Sequence, residues 1–84
     1  MYAATVARSI AMMSVEPTIL IALNGVEVSV PAATSIASLV QRTLPNARAY
    51  AVELNRVVLA RRDHGTRLVA AGDHVEIVTL VGGG

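Results

Sequence analysis

The stretch Thr18-Ile19-Leu20-Ile21-Ala22-Leu23-Asn24-Gly25-Val26-Glu27-Val28-Ser29-Val30 decides the fold. Two runs of strand-forming residues flank Asn24-Gly25, the strongest short hairpin signal, because both central residues of a type I′ turn need positive φ. After the turn Val26, Val28 and Val30 alternate with Glu27 and Ser29, the period-two pattern of a half-buried strand. Folding the first run back across the turn points Ile19, Ile21 and Leu23 to the side of the three valines, and Leu20 and Ala22 to the other. Pro31 has no N–H to donate and stops the ladder there.

Working outward from the hairpin, Thr34 or Ser35 can cap a helix start, and Ile36, Leu39 and Val40 then fall at i, i+3 and i+4, with Leu44 extending the stripe. Pro45-Asn46 closes a helix of about ten residues. Its outer face, with Ser38, Gln41 and Arg42, carries no catalytic grouping. A third strand runs from Ala49 to Leu54. Asn55-Arg56 then turns tightly into Val57-Val58-Leu59, and Arg61 to Gly65 forms an irregular polar connection. Leu68-Val69 is expected to be buried. Ala71-Gly72-Asp73 turns the chain into a last strand, Val75 to Val81, with Val75 and Ile77 toward the helix and Glu76, Val78 and Leu80 away from it.

Composition fits one small domain, since a chain of 84 residues buries only about 60% of its unfolded surface. Hydrophobic residues make up 54% of the sequence, with no Phe or Trp and only Tyr2 and Tyr50, so Val, Ile, Leu and Ala must build the core. Seven Arg against six acids leave a net charge of +1, too little to draw in nucleic acid or an anionic membrane. Absence of Cys removes disulfides and thiolate nucleophiles, and with His64 and His74 as the imidazoles no metal site is expected. No apolar run reaches the ~18 residues of a membrane span, and a cytoplasmic location is the default. Residues 1–17, with Arg8 and the paired Met12-Met13, read as a disordered N-terminal extension, residues 18–81 as the domain, and residues 82–84 as a flexible tail.

That tail is Gly82-Gly83-Gly84. Glycine is roughly 7% of average sequence, so three together at one chosen place arise by chance well under once in a thousand. Lacking Cβ, such residues can thread a terminal carboxylate through a narrow channel into another protein's active site. An α-carboxylate with a pKa of about 3.5 is ionised at neutral pH and can attack the α-phosphate of ATP once desolvated and positioned. The other candidates read as structure. Arg61, Arg62 and Arg67 look like a solvated rim. His64 beside Asp63 is half of a catalytic relay without a nucleophile, and Asp63 and Gly65 shape a turn. His74 is expected to be exposed, and Asn55 and Arg56 to be turn residues.

Two strands, a helix and further strands resemble the β-grasp, ubiquitin-like architecture. This is an α+β fold with a mixed four- to five-stranded sheet, first and last strands central, and one main helix packed on one face. The other face then presents Val78, Leu80, Leu20 and Ala22, expected as one apolar docking patch beside the tail. Together, Ala51-Val52-Glu53-Leu54-Asn55, Gly72-Asp73-His74-Val75-Glu76-Ile77-Val78, the Asn24-Gly25 hairpin and Val81-Gly82-Gly83-Gly84 resemble the ThiS-type sulfur carriers of thiamine biosynthesis over residues 18–84. The first seventeen residues depart from that pattern. The resemblance implies a protein cosubstrate and no enzyme. Gly84 would be adenylated by a ThiF-like adenylyltransferase using ATP and magnesium, with no cofactor bound by the chain itself. Sulfur, drawn from cysteine through a cysteine desulfurase, would then give a C-terminal thiocarboxylate for a ThiG-like thiazole synthase. Gly83 and Gly82 would be the slender approach.

Two alternatives share the fold. One is a carrier serving molybdopterin or cysteine and methionine synthesis, which would expose the same activated glycine to a different acceptor. The other, of a different class, is a β-grasp protein- or RNA-binding module. An RNA-binding surface wants basic and aromatic residues, and this chain has few aromatics.

Overall fold

The computed structural model describes residues 17–46 and 48–80. Its strands are β1 (Thr18–Leu23), β2 (Val26–Pro31), β3 (Tyr50–Leu54), β4 (Val57–Val58) and β5 (His74–Thr79), with one helix, α1 (Ile36–Thr43), and a 3₁₀ turn at Arg61–Asp63. The five strands form one mixed sheet in the order β2-β1-β5-β3-β4. β1 and β5 run parallel in its centre and the remaining pairs are antiparallel, as the β-grasp pattern requires. This places the last strand between the first and third, where it is held from both sides.

In the hairpin Ile19 faces Val30, Ile21 faces Val28 and Leu23 faces Val26, which puts all six on one side of the sheet as the alternation implied. Asn24 (φ 50°) and Gly25 (φ 82°) make the turn, and glycine takes the second position without strain. Pro31 is accommodated as the last residue of an edge strand, where its missing N–H costs no central ladder bond.

Helix α1 begins at Ser35, whose Oγ accepts from the Ser38 N–H at 3.1 Å. Two further N-terminal donors are met from the 61–70 connection: Ile36 N–H donates to the Arg67 carbonyl and Ala37 N–H to the His64 carbonyl. The connection is therefore the lid on the helix start. Sequence reading treated it as irregular because these bonds join residues about thirty positions apart. The helix is shorter than expected, closing at Leu44, whose N–H returns to Val40 at 2.7 Å.

Ile36, Leu39 and Val40 pack on Ile21, Val30, Val52, Leu54, Val75 and Ile77 from the sheet, with Val69 closing the layer. Each such side chain contributes ~1.5–3 kcal/mol relative to exposure, so aliphatic residues suffice without Phe or Trp. One expectation fails here. Val69 is buried, but Leu68 is half exposed, because its backbone bridges to Ser35 and turns the side chain outward.

Candidate functional site

The tail leaves the domain from the C-terminal end of β5. Gly82, Gly83 and Gly84 lie outside the described residues, as does the N-terminal segment 1–16, so the site is built from the tail's root. On one side, β5 is paired with β3 up to its end: Ala51 faces Val78, Tyr50 faces Thr79, and Leu80 N–H donates to the Ala49 carbonyl at 2.9 Å. On the other side β1 has already turned away at Asn24. The Asn24 side chain continues the ladder in its place: Oδ1 accepts from Ile77 N–H at 2.8 Å and Nδ2 donates to the Ile77 carbonyl at 3.2 Å. A primary amide copies a peptide group, so the turn residue acts as one more rung of β1. Beyond Ile77 the tail root is held through β3.

The start of β3 is braced in turn. Arg61 lies over the Tyr50 ring, its guanidinium carbon 3.9 Å from the centroid, and its Nη2 donates to the Arg48 carbonyl at 3.0 Å. The His64 ring lies 5.9 Å from that of Tyr50. Arg61, read from sequence as part of a solvated rim, thus ties the 3₁₀ turn to the segment that pairs with Leu80. His64 also differs from its turn-region reading: it is buried, with Nε2 bonded to the Leu59 carbonyl at 3.2 Å and Nδ1 without a partner among the described residues. A carbonyl oxygen only accepts, so Nε2 is the donor in that bond. Nothing in the local sequence signals this burial, because the helix start that covers it is distant in the chain.

At the opposite pole, Asn55 (φ 52°) and Arg56 (φ 71°) form a second turn with both central residues at positive φ. Asn55 Nδ2 donates to Asp73 Oδ1 at 3.0 Å, Asn55 Oδ1 accepts from His74 N–H at 2.9 Å, and Asp73 Oδ2 accepts from Ala70 N–H at 2.8 Å. This network fixes where β5 begins, with Gly72 (φ 85°) at the adjoining turn. His74 is exposed as expected. With Asn55 and Arg56 it lines an open depression of about 200 Å³, a strand's length from the tail.

Val78 (49% exposed), Leu80 (51%) and Leu20 (52%) all present apolar surface, and Ala22 is partly covered. The register corrects their expected union into one patch. Ala22 pairs with His74, and Gly72 N–H donates to the Leu20 carbonyl, so Leu20 stands level with Gly72. Six residues of strand, about 20 Å at ~3.3 Å each, separate that level from Val78. Val78 and Leu80 are beside the tail; Leu20 and Ala22 are on the same face toward the far end.

The fold has a counterpart among known proteins. The ThiS family model matches residues 3–84. The chain belongs to the ThiS family. Among solved structures it is similar to the crystal structure of a thiamine biosynthesis protein (ThiS) from Geobacter metallireducens. The two share 29% sequence identity with a TM-score of 0.68, over 79% of this chain and 100% of the other. No curated protein sequence matches the chain significantly. Among the described residues of this ThiS-family chain, no helix is long and apolar enough to cross a membrane.

Proposed function

We propose that the chain is a sulfur carrier of thiamine biosynthesis whose reactive group is the carboxylate of Gly84. A ThiF-like adenylyltransferase, using ATP and magnesium, takes the tail into its own active site. A carboxylate oxygen attacks the α-phosphate, pyrophosphate leaves, and the acyl-adenylate forms. The terminal sulfur of a persulfide, supplied through a cysteine desulfurase, then takes the acyl carbon: the C–S bond forms, the C–O bond to AMP breaks and AMP departs with the bonding pair, and a thiol reductant cleaves the S–S bond of the resulting acyl disulfide, itself ending in a disulfide. The product is a thiocarboxylate whose sulfur passes to a ThiG-like thiazole synthase in the cytoplasm.

One observation carries this reading: the family match runs through to Gly84, a few residues beyond the end of the sheet's central strand. The domain's part is mechanical. Bonds from Asn24 and Ala49 fix the root through Ile77 and Leu80, so the enzyme receives a short tether of defined origin. Gly82 and Gly83 let that tether pass a narrow channel, and Val78 and Leu80 form the apolar contact beside it.

The test is pyrophosphate release from ATP by the adenylyltransferase in the presence of the carrier. Full-length chain supports it, and chain lacking Gly83 and Gly84 does not. Equal release from both would refute the proposal. Capture by thiazole synthase, and its absence with the large subunit of molybdopterin synthase, separates the thiamine reading from the molybdopterin one.

A further inference from the structure

The Asn24-Gly25 turn carries reactive groups that the carrier chemistry does not use. Gly25 has no Cβ to shield its backbone nitrogen, and nothing lies within 4 Å of where that Cβ would stand. Both residues are exposed, so water and hydroxide reach them. Once hydroxide removes its proton, the Gly25 nitrogen is a nucleophile one residue from an amide carbon. When it attacks Asn24 Cγ, the N–Cγ bond forms and the Cγ–Nδ2 bond breaks, and Nδ2 leaves as ammonia after taking a proton from water. Water then opens the cyclic imide at either carbonyl, leaving aspartate or isoaspartate, and no oxidant or cofactor takes part. The remaining asparagines are less reactive. Asn46 precedes Ala47 and Asn55 precedes Arg56, whose side chains crowd the attacking nitrogen.

We propose that Asn24 is a latent site of spontaneous deamidation, kept intact by its pairing with Ile77 and released whenever β5 lets go of the turn. The amide that ring closure consumes is the one that completes the ladder: Oδ1 accepts from Ile77 N–H at 2.8 Å and Nδ2 donates to the Ile77 carbonyl at 3.2 Å. The imide has no NH2 group, so closure cannot keep both bonds. Asn24 N–H also donates to the Val75 carbonyl at 2.9 Å, which holds the turn's main chain against β5. Conversion runs one way. Aspartate keeps an acceptor for Ile77 N–H but sets an anionic oxygen against the Ile77 carbonyl. Isoaspartate routes the main chain through Cβ and Cγ, adding a methylene to a two-residue turn and withdrawing the amide altogether. Either product weakens the rung at the tail's root, so a chain that has opened and reacted closes less firmly. Asn24 thus records past opening of that end of the sheet, whatever the tail carries.

The experiment incubates the full chain in mildly alkaline buffer, folded and in urea, and follows each asparagine by peptide mass spectrometry. Deamidation adds about 1 Da to the peptide, and enzymatic carboxyl methylation counts the isoaspartate. In urea Asn24 is expected to convert ahead of Asn46 and Asn55. Two ordinary hydrogen bonds are expected to slow its conversion in the folded chain about thirtyfold. Converted chain, separated by its added negative charge, is expected to melt below the natural chain and to exchange the Ile77 amide faster. Conversion in the folded chain within about threefold of the rate in urea overturns the protection by Ile77. Asn24 reacting no faster than Asn46 and Asn55 in urea overturns the site. Natural melting and natural Ile77 exchange in the converted chain overturn the consequence. None of these readouts depends on the carrier reading, which pyrophosphate release tests separately.

Discussion

Replacing Asn24 by glycine isolates the contribution of a side chain that stands in for a strand. Asn24 sits at φ 50°, a conformation glycine adopts freely, so the turn survives and the loss is confined to the two bonds to Ile77, at 2.8 and 3.2 Å. Each is worth about 1 kcal/mol net, and the part-buried Ile77 N–H loses its partner, so the variant is expected to be less stable by about 2–3 kcal/mol. At about 4–8 °C per kcal/mol for a domain of this size, the melting temperature falls by about 10–20 °C. Two companions check the cause. Asn24→Ala adds ~1 kcal/mol for a Cβ at positive φ. Asn24→Asp keeps the acceptor for Ile77 N–H but sets a carboxylate oxygen against the Ile77 carbonyl, and should cost at least as much as glycine. Calorimetry or denaturant titration gives the stability, and hydrogen exchange at the Ile77 amide reports the bond itself. An Asn24→Gly variant within about 0.5 kcal/mol of the natural chain, a margin of half of one ordinary hydrogen bond, refutes the reasoning.

The turn at Asn55-Arg56 offers the reverse experiment. Arg56 occupies the position that Gly25 fills in the first hairpin, at φ 71° against 82°; Arg56→Gly should relieve ~1–2 kcal/mol of backbone strain and return part of it as chain entropy. The net gain is about 0.5–1 kcal/mol, seen as a higher melting temperature, and a lower one would contradict it. Conversely, Gly25→Arg should cost about 1 kcal/mol and no more, because nothing lies within 4 Å of a Cβ built there. Arg61→Ala removes the contact over Tyr50 and the bond to Arg48, and is expected to cost about 1–2 kcal/mol and to speed hydrogen exchange at Leu80. Unchanged exchange at Leu80 would mean that Arg61 does not brace the tail's root.

Local chemistry made most of the fold legible. Asn24-Gly25 with its flanking alternation placed the hairpin and put Ile19, Ile21 and Leu23 on the side of the three valines, as the structure has them, and Ile36, Leu39 and Val40 fell on the buried face of α1. What stayed hidden was set by partners distant in the chain. Asn24 could be read as a turn residue, but its pairing with Ile77, 53 positions away, depends on β1 ending one rung short beside β5. His64 is buried because carbonyls of its own connection cap the helix, and Arg61 is engaged because β3 begins beneath it. Parity put Leu20 and Val78 on the same face, but only a parallel register could separate them along it. Likewise, a formal charge of +1 gave no hint that Glu53 and Glu76 oppose each other across β3 and β5.

The central claim is that Gly84 carries the sulfur, and intact-protein mass spectrometry tests it most directly. The full chain is incubated with the adenylyltransferase, ATP, magnesium and a sulfur source, and the product is then fragmented. Exchange of one terminal oxygen for sulfur makes the protein about 16 Da heavier, with the added mass confined to the C-terminal glycine. An unchanged mass, under conditions in which a control carrier is converted, would contradict the account.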